Sequence, residues 1–600
     1  MQVQTLKPDA RVPQLQRLCE TAWQEIQLSL SQQPPLEPTA TPAQSIGWAI
    51  LILVTLYICY FSHLGVIGFV GPDEPRYAWI ARDMAETGDW VTPRLYGKPW
   101  FEKPPLLYWG GAIFFKLFGD RAPETAVRLP SAISALLATL ALAWLAWRTY
   151  GEECARWLLL LLPTSVGMIG FSHAAATDMP FAGMLTIAMV CAAAALGLTE
   201  NENTPILPHT PWLALLLFGF FLGLAVSAKG PAGIILSGGA VFFWAIFTKR
   251  WRDAFRLLHP AAIAAFCLTA LPWYILCAHR NPDFFRVFII EHNFKRYLTP
   301  EFQHIQPFWY YGPILLVAFL PWSLLVVAAA TAGFRRWWRT REISVLTILI
   351  LCWAGFCLVF FSISKSKLPG YVLPGVPAIS FLAARASSSQ AWLSKRVAGY
   401  SLLVSGCVYL AAALFFRFGN GLIEPFRIFA WGIAVIAFVV LGFFCLATFS
   451  AGFSFFLRAD SGFNSFLRAA SMLLMVLLMG LAPRVVERTH MDSISGKWTA
   501  QAARTEVPDL EKLRTYGYGR TYRHALNFYL HREVPEWAEA PLSDGYVLST
   551  SPSCGKLKTT DNCVDLWGRM DLVPGGALLR ITPKPSLNRS SGGRQPQQKE

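Results

Sequence analysis

The sequence predicts an all-α polytopic membrane protein of about thirteen transmembrane helices, with interfacial helices in the first outer loop and a small C-terminal α/β extracytoplasmic domain. Three observations predict it. Of the 600 residues, 54% are hydrophobic and only 15% charged, whereas soluble globules carry about 25% charged residues. The apolar residues come in blocks of about 17 to 25, the helical length that crosses some 30 Å of hydrocarbon. Between the blocks stand short clusters rich in Arg, Pro and Trp, and the basic residues gather at block ends in alternate loops.

The formal charge of +15 does not mark a nucleic-acid protein, because the cations flank apolar blocks instead of lining one soluble face. They suit anionic membrane lipids and orientation signals. Residues 1–44 are polar and rich in Gln and Pro, with no apolar core of a cleavable signal peptide, and read as a loosely ordered cytoplasmic tail with one short helix near 15–30. The membrane domain is expected over 45–484, the α/β domain over 485–582 and a disordered tail over 583–600.

In order, the expected spans are 45–70, 125–147, 155–173, 179–198, 212–228, 231–247, 260–278, 308–332, 344–363, 371–384, 398–416, 426–450 and 469–482. The tenth is short and holds Pro374 and Pro377, which neighbouring helices can accommodate. Alternate loops carry Arg148 and Arg156; Lys249, Arg250, Arg252 and Arg256; Arg335, Arg336, Arg339 and Arg341; then Arg385, Lys395 and Arg396. By the positive-inside rule these are cytoplasmic. Parity then places the N-terminus inside and everything beyond Pro483 outside. There, Cys554 and Cys563 are nine apart in a polar region and form the natural disulfide pair, two free thiols being the alternative. In the same region "RTYGYGRTYRHALNFYL" suggests a strand and then a helix around 522–530, and "GYVLST" and "ALLRI" read as strands.

The charged residues of chemical interest fall on that one outer side. In "GPDEPRYAWI", Asp73 and Arg76 are three apart, with Tyr77, Ala81 and Met84 at helical spacing, which predicts a helix lying in the interface. "FEKPPLLYW" places Glu102 and Lys103 before a prolyl helix start. Asp178 opens a span in "ATDMPF", Lys229 stands at a hinge in "VSAKGPAG", and "SKSKLPGYVLP" adds Lys365, Lys367 and Tyr371. A further loop holds Glu291, His292, Lys295 and Arg296. Taken singly, Asp73, Glu74 and Asp178 are explained as helix caps and Lys229 as a snorkelling lysine. Together on one face they make a polar cleft, in which acids handle a nucleophile and cations hold a phosphate at headgroup depth.

The stretch "PDEPRYAWIARDMAETGDWVTPRLYGKPWFEKPPLLYW", followed in order by "TDMPF", "KGPAG", "EHNFKRY", "PFWYY" and "SKLPGYVLP", resembles the bacterial aminoarabinose transferase and protein O-mannosyltransferase superfamily of polytopic, C-type-fold glycosyltransferases. The likeness covers about 71–377, and the set of motifs is far more specific than any one of them. It implies an inverting transferase of the bacterial inner membrane that moves a sugar from a polyprenyl-phosphate donor, such as undecaprenyl phosphate, at the outer face. The acceptor stays open between lipid A or another glycolipid, a protein hydroxyl and an envelope glycan. By the resemblance Asp73 is the principal catalytic carboxylate and Asp178 a second acid facing the same cavity, while Lys103, Arg296, Lys229 and Tyr371 contact the donor phosphate. Arg76, Glu102 and His292 support the cleft; Glu102 and His292 also match positions where relatives hold a divalent metal, but two ligands do not define a site. A polyprenyl-linked lipid transporter or flippase is the alternative function. Against it, the acids flank the spans instead of sitting at the midplane, and no internal repeat is visible.

Overall fold

The computed structural model describes residues 42–199, 211–295, 305–389, 404, 407, 410, 495–549, 557, 562–566 and 577–583. The expected spans at 398–416, 426–450 and 469–482, and Arg296 and Cys554, lie outside the described residues, apart from positions 404, 407 and 410. The chain divides into two contact units, Met1–Leu53 and Val54–Glu600. Of the first, the described part is the beginning of helix α1, Pro42–Tyr60; everything that follows belongs to the second.

The architecture is mainly helical. Among the described residues five helices are long and apolar enough to cross a membrane: α4 (Pro123–Tyr150), α7 (Asp178–Ala195), α8 (Pro211–Lys229), α11 (Pro260–Arg280) and α14 (Val345–Ile363). Counting two bent pairs as spans gives seven among the described residues. Those pairs are α5 (Glu152–Leu161) with α6 (Val166–Ser172), bent by 64°, and α12 (Tyr311–Ala318) with α13 (Ser323–Thr340), bent by 113°. Shorter apolar helices are Ile46–Tyr60, within α1, and α9, Ala232–Thr248.

The bends depart from the continuous spans expected over 155–173 and 308–332, and they have a shared cause. The α5–α6 break at Pro163 to Ser165 lies against the α12–α13 break at Phe319 to Trp322. Val166 N donates to Leu320 O at 3.0 Å, and Trp322 Nε1 donates to Thr164 Oγ1 at 2.7 Å. Each break supplies partners for the polar groups freed in the other, which is the condition for interrupting a helix at membrane depth.

The expected 45–70 span also ends early, at Tyr60. Residues 61–70 run as turns and irregular backbone, and three of their carbonyl groups are taken by a side chain, Arg128 of α4. Its Nη1 donates to Leu64 O (2.8 Å) and Ile67 O (2.6 Å), and its Nη2 to Gly68 O (3.1 Å).

The stretch between α1 and α4 folds as expected into two helices, α2 (Asp73–Thr87) and α3 (Leu106–Phe118), joined by the short hairpin β1 (Arg94–Leu95) and β2 (Lys98–Pro99). Gly88 closes α2 in the left-handed conformation with φ 72°, where a side chain would be strained. α2 is not an interfacial helix with one free polar face: Glu74, Arg76 and Arg82 are buried along with Tyr77, Ile80 and Met84. Its second face is covered by a helix from the far end of the chain.

That helix is α17 (Arg520–Leu530), part of a C-terminal α/β unit with α16 (Lys497–Glu506) and a four-stranded sheet in the order β3-β4-β6-β5. The strands are β3 (Leu513–Tyr516), β4 (Gly545–Ser549), β5 (Asn562–Asp565) and β6 (Ala577–Thr582). β3 pairs parallel with β4, and β6 is antiparallel to both β4 and β5. Cys563 of β5 is disulfide-bonded. Two stripes of α17 do different work. Leu526 and Leu530, four apart, join Leu513, Leu548 and Leu578 in the sheet core. Phe528 packs instead with Ala78 and Ala81 of α2 and Ala126 and Val127 of α4. The Arg82 guanidinium lies 4.2 Å from the Phe528 ring centroid and donates to Phe528 O at 3.2 Å.

The docking carries a pH dependence. Tyr96 OH and His524 Nδ1 are 2.8 Å apart, and burial, followed by the charges of Arg76, Arg523 and Arg520, lowers the His524 pKa from 6.5 to about 4. Because the folded protein resists a proton that the unfolded chain accepts, this contribution is present above pH 6.5 and is lost as pH falls toward about 4. We expect the thermal midpoint of the detergent-solubilised protein to fall over that interval, and His524→Asn to flatten the fall. His531, lowered by burial and by Arg82, keeps a remainder in the variant. An unchanged profile in His524→Asn would remove this histidine from the docking.

Candidate active site

The polar residues of the loops expected on the outer side collect into two groups at adjacent helix starts. In the first, Asp73 is the opening residue of α2, and its side chain is 51% exposed. It does not cap the helix, since the cap position is Pro72 and no side-chain cap bond forms there. Instead Asp73 Oδ1 accepts from Arg76 Nη2, one turn on. Arg76, whose side chain is only 5% exposed, also donates from Nη1 to Glu102 Oε2 at 3.1 Å and from Nε to Pro72 O at 2.9 Å. Its guanidinium lies 5.4 Å from the Trp100 ring centroid. Lys103 Nζ is 4.0 Å from Glu102 Oε1. Burial opposes the Arg76 charge, yet Glu102 and Asp73 together raise its pKa above the ordinary arginine value. The guanidinium is therefore a permanent cation that fixes one oxygen of Asp73. Oδ2 has no protein partner among the described residues.

The second group is Asp178, Lys229 and Tyr371. Asp178 stands one residue inside α7, whose cap position, Thr177, makes no side-chain cap bond. Lys229, the last residue of α8, is not a lone snorkelling lysine: its Nζ is 2.5 Å from Asp178 Oδ1 and 4.6 Å from the Tyr371 ring centroid. The turn Pro369–Gly375 brings Tyr371 there. Gly370 is required by close approach, because a Cβ at that position would lie 2.6 Å from Asp178 Oδ1. Gly370→Ala should push the Asp178 carboxylate off Lys229 and cost activity about tenfold or more, since small displacements of site groups are costly. Full turnover in Gly370→Ala would show that the Asp178 position is not critical.

The two groups are joined by Glu74, the residue next to Asp73. Glu74 Oε1 accepts from Ala175 N at 2.7 Å, three positions before Asp178, so the starts of α2 and α7 lie side by side. Glu74 also pairs with Arg128 of α4, Nη2 to Oε2 being 2.7 Å and Nε to Oε1 3.0 Å, with side-chain exposures of 9% and 6%. Arg128 is not among the residues expected to build the cleft, and Glu74 is expected there as a helix cap, not as a partner of a buried arginine. One signal pointed to Arg128: an ionisable residue inside an apolar span is a functional candidate by default.

Other residues are placed differently. Lys367 is buried, and its Nζ donates to Ser364 O (2.7 Å) and Gln306 O (3.0 Å), so its charge holds backbone. His292 lies in the π-helical segment Arg286–Lys295. The end of α11 and the residue after it are tied to residues 89–92, between α2 and α3, by Arg280 Nη1 to Asp89 Oδ1 (3.1 Å), Asn281 Nδ2 to Thr92 Oγ1 (3.0 Å) and Trp273 Nε1 to Val91 O (2.8 Å). Among the described residues no group of three His, Cys, Asp or Glu side chains converges to hold a metal, and Glu102 is already engaged by Arg76 and Lys103.

Comparison with known proteins places this geometry. Residues 46–288 match the family model described as dolichyl-phosphate-mannose-protein mannosyltransferase. An undecaprenyl phosphate-alpha-4-amino-4-deoxy-L-arabinose arabinosyl transferase from Sodalis glossinidius (strain morsitans) is 32% identical over 414 residues, covering 67% of this chain and 71% of the relative. One of the same description from Serratia proteamaculans (strain 568) is 32% identical over 388 residues, covering 64% and 67%. For the relative from Enterobacter sp. (strain 638), 31% identical, the match spans 60% of its length and 57% of this chain. The crystal structure of ArnT from Cupriavidus metallidurans bound to undecaprenyl phosphate superposes with a TM-score of 0.73 over 91% of this chain and all of that one, at 23% identity, a likeness of fold. The chain thus belongs to the family of the undecaprenyl phosphate-aminoarabinose arabinosyl transferases, within the polytopic glycosyltransferase superfamily that includes the protein mannosyltransferases.

Proposed function

We propose that the protein is an integral-membrane glycosyltransferase that moves a sugar from a polyprenyl-phosphate donor to an acceptor at the outer face of the inner membrane, by an inverting displacement with Asp73 as the principal catalytic carboxylate. One observation carries this: a half-exposed Asp73, with one oxygen fixed by buried Arg76 and the other without a protein partner among the described residues, stands next to the start of the Asp178 helix, and Lys103 joins the same group through Glu102. The acceptor oxygen bonds to the anomeric carbon while the bond from that carbon to the donor phosphate oxygen breaks. The acceptor proton passes to Asp73 Oδ2, and the polyprenyl phosphate leaves with one more negative charge, which cations in the cleft stabilise.

Lys103, Arg296 and Tyr371 are the proposed phosphate contacts, Tyr371 lying against Lys229. Lys229 contributes its remaining N–H directions, one being held by Asp178. Undecaprenyl phosphate is the carrier that the relatives' names support, and their sugar, 4-amino-4-deoxy-L-arabinose, is the first to test. Lipid A or another glycolipid, a protein hydroxyl and an envelope glycan remain the acceptor classes. The proposed topology has about thirteen spans with the N-terminus cytoplasmic and the α/β domain, 485–582, periplasmic, as parity of the basic loops supports.

The test is transfer by the full-length protein in lipid nanodiscs containing undecaprenyl-phosphate aminoarabinose and a panel of the three acceptor classes, read by mass spectrometry. Appearance of one glycosylated acceptor, with undecaprenyl phosphate released in equal amount, is expected. Translocation of intact donor without cleavage would overturn the reading in favour of a flippase.

A further inference from the structure

The segment that delivers Asp73 has no regular structure of its own, yet three carbonyls and two N–H groups along it are held by side chains. Arg128 takes the carbonyls of Leu64, Ile67 and Gly68. Glu74 Oε2 accepts from Val70 N at 2.9 Å. Tyr529 of α17 completes the set: its hydroxyl accepts from Phe69 N at 2.9 Å and donates to Glu124 Oε1 at 2.8 Å. Glu124 and Arg128 are one turn apart on α4, and Glu124, 3% exposed, also receives Lys497 Nζ of α16 at 2.8 Å. Gly68 allows this closeness, because a Cβ there would collide with Ser495 Oγ and stand 3.0 Å from the Tyr529 hydroxyl.

The same elements hold the other acid. Ala175 N reaches Glu74 Oε1 at 2.7 Å, and Ala174 O accepts from Ser131 Oγ at 2.7 Å, Ser131 being one turn beyond Arg128. One stripe of α4, residues 124, 128 and 131, therefore anchors both the approach to Asp73 and the approach to Asp178. The C-terminal α/β unit locks its upper end.

We propose that the buried Glu74–Arg128 pair, clamped by Tyr529, is a positioning device that fixes Asp73 relative to Asp178, and that the C-terminal α/β unit is thereby part of the catalytic scaffold. This rests on the assignment of Asp73 as the catalytic carboxylate. Burial, and then the charge of Glu124, push the Tyr529 pKa well above the ordinary range, so the hydroxyl remains protonated and can donate and accept at once. Loss of that hydroxyl leaves Phe69 N without its partner and frees the backbone four residues before Asp73.

Tyr529→Phe in the full-length protein is the test, because it keeps the ring contacts with Phe69 and Phe528 and removes only the hydroxyl. In nanodiscs, kcat for transfer should fall about tenfold or more, the scale expected for a small misplacement. KM for undecaprenyl-phosphate aminoarabinose should stay within about twofold, since the phosphate contacts are untouched. A purely structural role would lower the thermal midpoint and leave kcat per folded molecule at the wild-type value, and that result overturns the proposal. Should Tyr529→Phe fail to assemble, Arg128→Lys, which keeps the charge but cannot reach three carbonyls, is read by the same kcat-against-KM split. In an Asp73→Asn background, Tyr529→Phe should add no further loss to residual transfer, because a residue acting through Asp73 has nothing left to position. Full turnover in Asp73→Asn sinks the catalytic assignment, whereas an inactive Asp73→Asn with a normal Tyr529→Phe sinks only the positioning role.

Discussion

Asp73→Asn is expected to reduce sugar transfer by about 10²- to 10⁴-fold, the contribution of a positioned general base, while the protein stays folded in detergent. The substitution is nearly isosteric and keeps an oxygen for Arg76 to donate to, and Arg76 retains Glu102 and Pro72 O. Folding should therefore be little affected. What disappears is the negative charge able to take the acceptor proton at Oδ2. An unchanged thermal midpoint distinguishes that loss from a misfolded variant. Near-normal turnover would remove Asp73 from the mechanism. The size of the effect also reports on the acceptor, because a hydroxyl needs its proton removed and an ionised phosphate does not. A loss nearer tenfold would point to an acceptor that is already anionic.

Arg128→Met should be the most destabilising substitution in the first turns of α4. Removing one partner from a buried ion pair costs about 3–5 kcal/mol, because the other charge stays buried without compensation. Here Glu74 would be that charge, and three carbonyl groups would lose their donor as well. We expect poor recovery from detergent and a clearly lower thermal midpoint. Removing both charges in Glu74→Met with Arg128→Met should recover part of the stability, since no buried charge is then unpaired. It should not recover transfer, because Val70 N and Ala175 N have still lost the carboxylate that holds them beside Asp73 and Asp178. A single Arg128→Met variant as stable as wild type would mean that water or lipid headgroups reach Glu74.

Much of the helical scaffold was legible because hydropathy is a local property. Helices α4, α7, α8, α11 and α14 fall where apolar blocks of sufficient length stand. The strands Leu513–Tyr516, Gly545–Ser549 and Ala577–Thr582 and the helix Arg520–Leu530 also lie close to their expected places. Three apolar runs misled. Residues 61–70 carry no Lys, Arg, Asp or Glu, but freedom from such charge is a statement about solvent, and the chain leaves the helix where Arg128 takes three of its carbonyls. The breaks near Pro163 and Pro321 were hidden for the same reason. Hydropathy cannot tell a proline that a helix absorbs from two breaks that satisfy each other.

The candidate site divides along the same line. Composition and the alternation of basic loops determined by themselves that this is a membrane chain, and the ordered motifs pointed to Asp73, Lys103, Asp178, Lys229 and Tyr371. Only the tertiary structure decided who pairs with whom: that Lys229, without an acid nearby in sequence, meets Asp178 across 51 positions, and that Tyr529 meets Phe69 across 460. The physical reason is that hydrophobic burial depends on local composition and can be read in a window. A buried charge or hydroxyl is satisfied by whichever distant group packing brings within 3 Å, and no window contains both partners.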